Sequence, residues 1–444
     1  MKTKIIQYLK LFRRKFKKLY NTLEISDEKN IPEVISSILR KLMKRKVGTE
    51  GKSFLDLLEH LILPNFWLKL GKNTLYKLRD YFYFMIFLAC LQLTPESGSD
   101  MLKIASILGP DADSFLYHLS KFTAEGIQEI TEKLNAVIFR KARQYFRRGF
   151  YKKAFPVAID YTNQPFYGDR STLGVVGGKK KAGTSWFYCF AALTIIQPHV
   201  RFTLAVSPVL PFDRTVEIVQ RLVQKAEQVI KIKYVEADRG FFRKEVTNFF
   251  IRHGYQFLMP VIKNDRIKEK IIAVHEGKIG PSFLYQFKNK KSEHENEVFT
   301  VFLIKTKNTK TTSPQKKRKK PTVFDFYHGF ATNQLKRKPS AKQLQQMADQ
   351  YRERWGVETG FKMIKYFQIK TASKKFVVRS FCFLFSVVIY NLWILSNLLF
   401  QSKKSNRYRL PAAQVKMLLL LKALGIFTAI LDEKLLKLAR GDSP

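Results

Sequence analysis

The order of short apolar segments between residues 155 and 262 constrains the fold of this chain more than any other feature. Two segments in this region, residues 213–230 and 243–253, repeat their apolar side chains with a helical period. Five others have the composition of strands: residues 155–160, 186–196, 200–207, 232–237 and 255–262. Three strands followed by a helix, a strand, a helix and a strand predict an α/β fold built on one mixed sheet.

The charge of the chain is far from balanced. Its 444 residues include 80 Lys and Arg against 36 Asp and Glu, which gives a formal net charge of +44. Such an excess repels itself, and a polyanion relieves the repulsion. Nucleic acid is therefore the leading partner, and an anionic membrane surface is the competing interpretation.

The region before the sheet is predicted to be helical. Between residues 5 and 23, apolar side chains recur at steps of four and three, which indicates an amphipathic helix. Residues 99–108 and 114–122 predict two short helices around a tight turn, an outline that a helix-turn-helix shares with any helical hairpin. We interpret residues 1–150 as a helical DNA-binding region.

The region after residue 262 divides into three parts. Residues 263–333 contain strand-like segments between polar stretches and predict a β-rich insertion. Residues 334–400 return to a helical pattern, with an apparent cap at Ser340, and complete a core that begins at residue 151. Residues 401–444 are predicted to form a C-terminal helical tail.

One segment, residues 380–400, has the length and lack of charge of a membrane span. Four polar residues interrupt it: Ser386, Asn391, Ser396 and Asn397. No second comparable segment is expected, so we predict a buried core helix and no membrane.

The cysteines and the N-terminus indicate a cytoplasmic setting. Cys90, Cys189 and Cys382 are widely spaced and form no CxxC pair, which gives no indication of a zinc site or a disulfide framework. The basic N-terminus lacks the continuous apolar stretch of a signal peptide. A cytoplasmic, nucleoid-associated protein is the expectation that follows.

Two acidic residues stand at the ends of predicted strands. Asp160 ends the segment FPVAID, and Asp238 ends KIKYVEAD. A carboxylate buried in an apolar strand must be paired, protonated or bound to a cation. Carboxylates on adjacent strand ends converge at one edge of a sheet and offer the hard oxygen ligands of Mg²⁺ or Mn²⁺. Each acid taken alone is more simply a cap on the turn that follows.

A third acid lies in the segment YRERWGVETGFKMIK, residues 351–365. Tyr351, Arg354, Glu358 and Lys365 are separated by three, four and seven residues, so a continuous helix projects all four from one face. An acid flanked by two cations and a phenol suits metal coordination beside a phosphate backbone. The competing interpretation is an exposed helix with ion pairs, which often places Glu near Arg but rarely produces this full spacing.

This spacing matches the YREK signature of the IS4 family of DDE transposases from insertion sequences. The surroundings of Asp160 (IDYTNQPFYG) and Asp238 (ADRGFF) resemble the first-Asp strand and the second-Asp motif of that family, and Asn333 in ATN resembles another of its features. Residues 160–167 are similar to the archaeal and bacterial ISH3 group. The resemblance extends from about residue 155 to residue 400.

The resemblance implies an RNase H-like core, split into residues 151–262 and 334–400 by the β-rich insertion. It implies that Asp160, Asp238 and Glu358 are the catalytic residues and the ligands of Mg²⁺ or Mn²⁺. Tyr351, Arg354 and Lys365 are then expected to contact the DNA backbone. The implied activity is two-metal phosphoryl transfer by a homodimer that cleaves inverted-repeat ends and joins them to double-stranded target DNA.

Three other functions remain open from the sequence. A metal-dependent nuclease of the same fold would cut DNA without joining it. A DNA-binding protein without activity would arise from a decayed copy of the element. A membrane-surface protein depends on residues 380–400 being a span.

Overall fold

The structure, a computed structural model, describes residues 49–145, 154–288, 296–306, 322–335, 339–401 and 410–439. Two compact units divide the chain: residues 146–361 form one, and residues 1–145 with 362–444 form the other. The sequence analysis placed residues 334–400 in the core, whereas residues 362–400 group with the N-terminal helices. The amphipathic helix predicted at residues 5–23 lies outside the described residues.

The helices follow one another along both units. In chain order they are α1 (Thr49–Leu57), α2 (Leu78–Leu91), α3 (Pro95–Ile104), α4 (Ala112–Ser120), α5 (Ala124–Tyr145), α6 (Thr215–Glu227), α7 (Lys244–Arg252), α8 (Asp265–His275), α9 (Ala341–Tyr351), α10 (Trp355–Tyr366), α11 (Phe376–Gln401) and α12 (Ala412–Ala439). A π turn at Leu58–Ile62 and a 3-10 turn at Leu63–Asn65 continue α1.

The strands among the described residues all belong to one nine-stranded sheet in the unit of residues 146–361. They are β1 (Ala154–Pro165), β2 (Val176–Lys181), β3 (Thr184–Ile195), β4 (Thr203–Val209), β5 (Lys231–Ala237), β6 (Phe257–Pro260), β7 (Ser282–Tyr285), β8 (Phe299–Lys305) and β9 (Tyr327–Thr332).

The pairing of the first six strands confirms the predicted fold class. β1 lies antiparallel to β3 and parallel to β5, while β3 pairs antiparallel with β4 and β5 pairs parallel with β6. This mixed sheet, with helices α6 and α7 between its later strands, is the RNase H-like arrangement that the resemblance implied. β1 and β5 are parallel neighbours, and β1 continues beyond the end of β5. The residue after β5 therefore lies beside the middle of β1.

Residues 263–333 extend this sheet rather than forming a sheet of their own. β9 pairs antiparallel with β6, and β8 lies between β9 and β7. The segment also contains α8, a helix that the sequence analysis missed, whose N-terminus is capped by Asn264 through a bond from the Ile267 N–H. The strand-like sequence directly before β9 instead forms the 3-10 turn Val323–Phe326.

The helix predicted across residues 340–366 is broken. α9 ends at Tyr351, a 3-10 turn occupies Arg352–Arg354, and α10 begins at Trp355. The predicted cap at Ser340 is confirmed, because its Oγ accepts a hydrogen bond from the Gln343 N–H. α9 packs on the sheet through a buried cluster: Leu258, Phe302, Phe330, Leu344, Met347 and Ala348.

The helical unit contains the two helices that were predicted around residues 109–113. They are α3 and α4, and α3 begins four residues earlier than expected. The reason is local, since Pro95 occupies the first helical position and Thr94 Oγ1 accepts from the Ser97 N–H at 3.2 Å.

Two helices in the described part of the chain are long and apolar enough to cross a membrane, judged by length and composition. They are Phe376–Phe400, which is 78% buried within the structure, and Ala412–Ile430, which is 56% buried. The second corrects the expectation that no other comparable segment exists. In α11 the two asparagines are bonded inside the helical unit: Asn391 Nδ2 donates to Asn135 Oδ1, and Asn397 Oδ1 accepts from the Leu410 N–H, both at 2.7 Å.

Asn333 joins the end of β9 to β6, which makes its role in stability testable. Its Oδ1 accepts from the Phe257 N–H at 3.0 Å, and its Nδ2 donates to the Tyr255 carbonyl at 2.8 Å. Asn333→Ala leaves both main-chain groups without a partner and should lower the free energy of unfolding by about 2 kcal/mol in chemical denaturation. Asn65→Ala, which removes one exposed bond within a turn, should cost about 0.5 kcal/mol or less. Equal losses in the two variants would contradict this role for Asn333.

Candidate active site

Asp160 and Asp238 are brought together by the pairing of β1 with β5. The parallel register runs to the pair Ile159↔Ala237, so the next residues along both strands are Asp160 and Asp238. Neighbouring strands lie about 4.8 Å apart, which places the two acids side by side at the end of β5. The two acids thus lie side by side as expected, but Asp160 lies in the middle of β1, which continues to Pro165, and not at the end of a strand as predicted.

The turn after β5 fixes the position of Asp238. Asp238 caps the 3-10 turn Arg239–Phe241, and its Oδ1 accepts from the Arg239 N–H at 2.7 Å. The Phe241 ring of this turn stacks on Tyr161 with a centroid separation of 4.6 Å and an interplanar angle of 9°. The residues that follow the two acids therefore hold the two backbones against each other.

Tyr351 ties the end of α9 to the same place. Its hydroxyl donates to the Ala237 carbonyl at 3.2 Å, directly before Asp238, and its ring packs edge-on against Phe330 of β9. The 3-10 turn that follows changes the direction of Arg354 relative to a continuous helix. The four signature residues are thus not the single helix face that their spacing predicted.

Arg354 lies between Asp160 and Glu358 and binds both. Its Nη1 donates to Asp160 Oδ2 at 3.0 Å, and its Nη2 donates to Glu358 Oε1 at 3.0 Å. The Arg354 side chain is only 9% exposed, whereas that of Glu358 is 54% exposed. Two charge-assisted bonds to a nearly buried guanidinium make this a strong polar contact.

The electrostatic setting of Asp160 favours a nearby cation. Burial raises the pKa of its carboxyl, and the charge of Asp238 raises it further. Arg354 and the Tyr161 N–H, which donates to Asp160 Oδ1 at 2.8 Å, act in the opposite direction. The ionised form of Asp160 is therefore costly alone and is stabilised by positive charge.

Glu236 is a fourth acid at this site, and the sequence analysis overlooked it. It lies in β5 two residues before Asp238 and is fully buried. Burial raises its pKa to about 8; Gln350 and Arg354 oppose the rise and Glu353 adds to it. Neither of its carboxyl oxygens makes a hydrogen bond of good geometry with any residue that the structure describes. An acid inside the apolar strand KIKYVEAD was the signal that could have found it.

Gly356 and Arg201 form a second contact that local sequence did not predict. A Cβ at Gly356 would lie 2.8 Å from Arg201 Nε and 2.9 Å from its Cζ. Glycine at this position therefore allows the guanidinium of Arg201 to lie against the first turn of α10, two residues before Glu358.

The predicted site residues are placed as follows. Asp160 and Glu358 are joined through Arg354, and Asp238 lies beside Asp160. Tyr351 and Arg354 are at the site, but both are turned toward protein groups. Lys365 lies at the end of α10 in the helical unit, where its carbonyl accepts from Gln92 Nε2 at 2.9 Å. The assignment of Tyr351, Arg354 and Lys365 to DNA stays a prediction.

The strand order and the acids at its centre define an RNase H-like domain of the kind that carries an acidic active site. The sequence profile of the family described as "Transposase DDE domain" matches residues 156–392, just over half of the chain. The chain therefore belongs to the DDE transposase domain family. The matched residues extend from β1 through most of α11 and include all the candidate acids.

Comparison with solved structures supports the fold. The piggyBac transposase, in a synaptic complex with hairpin DNA, is similar to this chain with a TM-score of 0.56 and 12% sequence identity. The similarity covers 87% of this chain and 82% of that one. Comparison with curated proteins found no match.

The buried acid predicts a distinct dependence of stability on pH. The ordinary pKa of a glutamate is 4.5, and that of Glu236 is about 8 in the folded protein. Between these values the folded chain retains a proton that the unfolded chain loses, so stability falls as pH rises. Relative to the native protein, the free energy of unfolding of Glu236→Gln should rise by up to about 1.4 kcal/mol for each pH unit between pH 4.5 and about 8. Denaturation of both proteins at a series of pH values measures the difference. The control is Glu269→Gln at an exposed position of α8, which should stay parallel to the native protein, as Glu236→Gln must not.

Proposed function

We propose that this protein is the transposase of an insertion sequence of the IS4 type, similar to the ISH3 group. It cleaves DNA at the inverted-repeat ends of the element and joins those ends to target DNA. The observation that carries the proposal is the cluster of Asp160, Asp238 and Glu358 around one guanidinium, in a chain of the DDE transposase domain family. The YREK spacing supports the finer assignment to the IS4 type.

The three acids suit a divalent cation by their chemistry. Carboxylate oxygens are the ligands that Mg²⁺ and Mn²⁺ prefer, and Asp160 and Glu358 already share one cationic group. Among the described residues, no three His, Cys, Asp or Glu side chains lie close enough together to hold a metal ion in the present arrangement. The guanidinium of Arg354 stands between two of the carboxylates, so Arg354 must withdraw before Asp160, Asp238 and Glu358 can hold Mg²⁺ or Mn²⁺ together.

When bound, a pair of such ions would activate water or a 3′-hydroxyl and stabilise the leaving oxygen of phosphoryl transfer. The residues of the chain supply position. The register of β1 and β5 holds Asp160 and Asp238 side by side, while the Tyr351 hydroxyl and Gly356 hold α10 so that Glu358 faces them. Lys365 is proposed to bind a phosphate of the transposon end. The ring of Tyr351 lies 5.4 Å from the Arg354 guanidinium and is proposed to orient that side chain.

Double-stranded DNA is the proposed partner, both as transposon end and as target. The net charge of +44 supports it, because neutralising phosphates relieves the repulsion between the basic side chains. Residues 1–150 are proposed to recognise the end sequence. A homodimer on DNA would process two ends together, and a cytoplasmic protein associated with the nucleoid, outside any membrane, fits this role.

A metal-dependent nuclease without strand transfer is the second candidate, because it needs the same acids. Oligonucleotides that carry the element's end, incubated with target plasmid and Mg²⁺, separate the two. Transposition predicts both cleaved ends and covalently joined products. Cleavage that never yields a joined product would favour the nuclease.

The triad is tested by isosteric substitution. Asp160→Asn, Asp238→Asn and Glu358→Gln each remove a charged ligand, which should cost several kcal/mol of transition-state stabilisation and slow cleavage by about 1000-fold. Binding of end DNA, measured by fluorescence anisotropy, should change little because the basic surface remains. Asp265→Asn on the exposed surface of α8 is the matched control and should cleave normally. Cleavage at the native rate in any of the three variants removes that acid from the triad.

Chelation provides the complementary test. EDTA should stop cleavage, and Mg²⁺ or Mn²⁺ added in excess should restore it. Cleavage that persists in EDTA would contradict the proposed chemistry.

A further inference from the structure

Three buried polar groups at the active site have atoms that make no hydrogen bond of good geometry with any residue that the structure describes. They are both carboxyl oxygens of Glu236, Nε2 of Gln350 and Nε of Arg354. A buried polar atom without a partner is costly, and a carboxyl with two such oxygens is more costly still. Gln350 interacts with the Glu236 carboxyl and lowers its pKa, but a neutral amide cannot neutralise the charged form of that carboxyl, which can still accept a cation.

The backbone register places Glu236 within reach of Arg354. Glu236 pairs with Ala158 across β5 and β1, so it shares a face of the sheet with Asp160, two residues further along β1. One strand spacing and two residues of rise separate the Cα atoms of Glu236 and Asp160 by roughly 8 Å. The guanidinium that binds Asp160 at 3.0 Å can therefore turn to Glu236 by changes in its own side-chain torsions.

The proposed function requires such a turn. Arg354 now binds Asp160 and Glu358, the two acids that a divalent cation would need. Once displaced, the guanidinium is a nearly buried charge, and it is very unfavourable to leave such a charge unpaired. Glu236 is the buried acid on this face of β5, and its neighbour Gln350 is a neutral amide rather than a cation.

We propose that Glu236 is a positioning residue that receives Arg354 when a divalent cation binds to the triad. In the metal-free arrangement Arg354 bridges Asp160 and Glu358, and in the metal-bound arrangement it pairs with Glu236. The Tyr351 hydroxyl keeps its bond to Ala237 in both arrangements and so holds the end of α9 in place while Arg354 turns. The inference rests on the proposed function, because it assumes that the triad binds a metal ion.

The consequence is a coupling between Glu236 and metal affinity that does not involve direct ligation. Glu236→Gln keeps the volume of the side chain but cannot form an ion pair with Arg354. Removing the charged partner should weaken Mn²⁺ binding about tenfold or more. Titration of the full chain with Mn²⁺, followed by the electron paramagnetic resonance signal of the free ion, measures the dissociation constant without requiring activity.

Two controls separate this role from a general loss of charge or of structure. Glu353→Gln removes the same charge from an exposed residue adjacent to Arg354 and should leave Mn²⁺ affinity within about threefold of the native value. Glu236→Gln should unfold without metal at a temperature no lower than that of the native protein. Equal Mn²⁺ affinities in Glu236→Gln and Glu353→Gln would overturn the inference.

A double-mutant cycle assigns the effect to Arg354. In an Arg354→Met background there is no guanidinium to relocate, so adding Glu236→Gln should change Mn²⁺ affinity by less than about threefold. A full tenfold loss in that background would show that Glu236 acts on the metal by another route and would overturn the inference. If Arg354→Met does not fold, the comparison of Glu236→Gln with Glu353→Gln still decides.

The same titration distinguishes failure of the inference from failure of the proposed function. Asp160→Asn should abolish Mn²⁺ binding if the triad is the metal site. If Asp160→Asn and Glu236→Gln both bind Mn²⁺ like the native protein, the metal site itself is wrongly assigned. If only Glu236→Gln does so, the metal site stands and the inference is wrong.

Discussion

The position of one guanidinium determines how the elements of the active site meet. Arg354 connects β1, through Asp160, to α10, through Glu358, and its neighbour Tyr351 connects the same segment to the last residue of β5. Without a cation at this point, the strand order would place Asp160 beside Asp238 with nothing to offset their repulsion. The RNase H-like sheet thus creates an acidic edge, and the break between α9 and α10 supplies the charge that makes it stable.

The same interaction suits the site to the exchange of the Arg354 guanidinium for a metal cation. A guanidinium held by two carboxylates marks a place of strong negative potential, where a divalent ion of higher charge density can compete. Glu236, a buried acid on the same face of the sheet as Asp160, forms no ion pair with any residue that the structure describes. The proposed chemistry and the proposed movement of Arg354 therefore follow from one property, the excess of carboxyl groups over cations in this part of a very basic chain.

Much of this site was readable from the sequence because it rests on local patterns. The apolar segments before Asp160 and Asp238, and the spacing from Tyr351 to Glu358, pointed to residues that the fold brings close together. What could not be read depends on contacts distant in the chain. Tyr351 bonding to Ala237 and Arg354 bonding to Asp160 accompany the 3-10 turn that breaks the predicted helix. The pairing of β9 with β6, which makes residues 263–333 part of the main sheet, likewise leaves no mark in local periodicity.

The central claim is that Asp160, Asp238 and Glu358 form one cation site that Arg354 fills in the absence of metal. Crystals of the protein grown with Mn²⁺ test it directly through the anomalous scattering of the ion. The account predicts an anomalous peak bound by carboxylate oxygens of these three residues, with Arg354 no longer between Asp160 and Glu358. A peak located elsewhere, or none while Arg354 still bridges the two acids at high Mn²⁺ concentration, would contradict it.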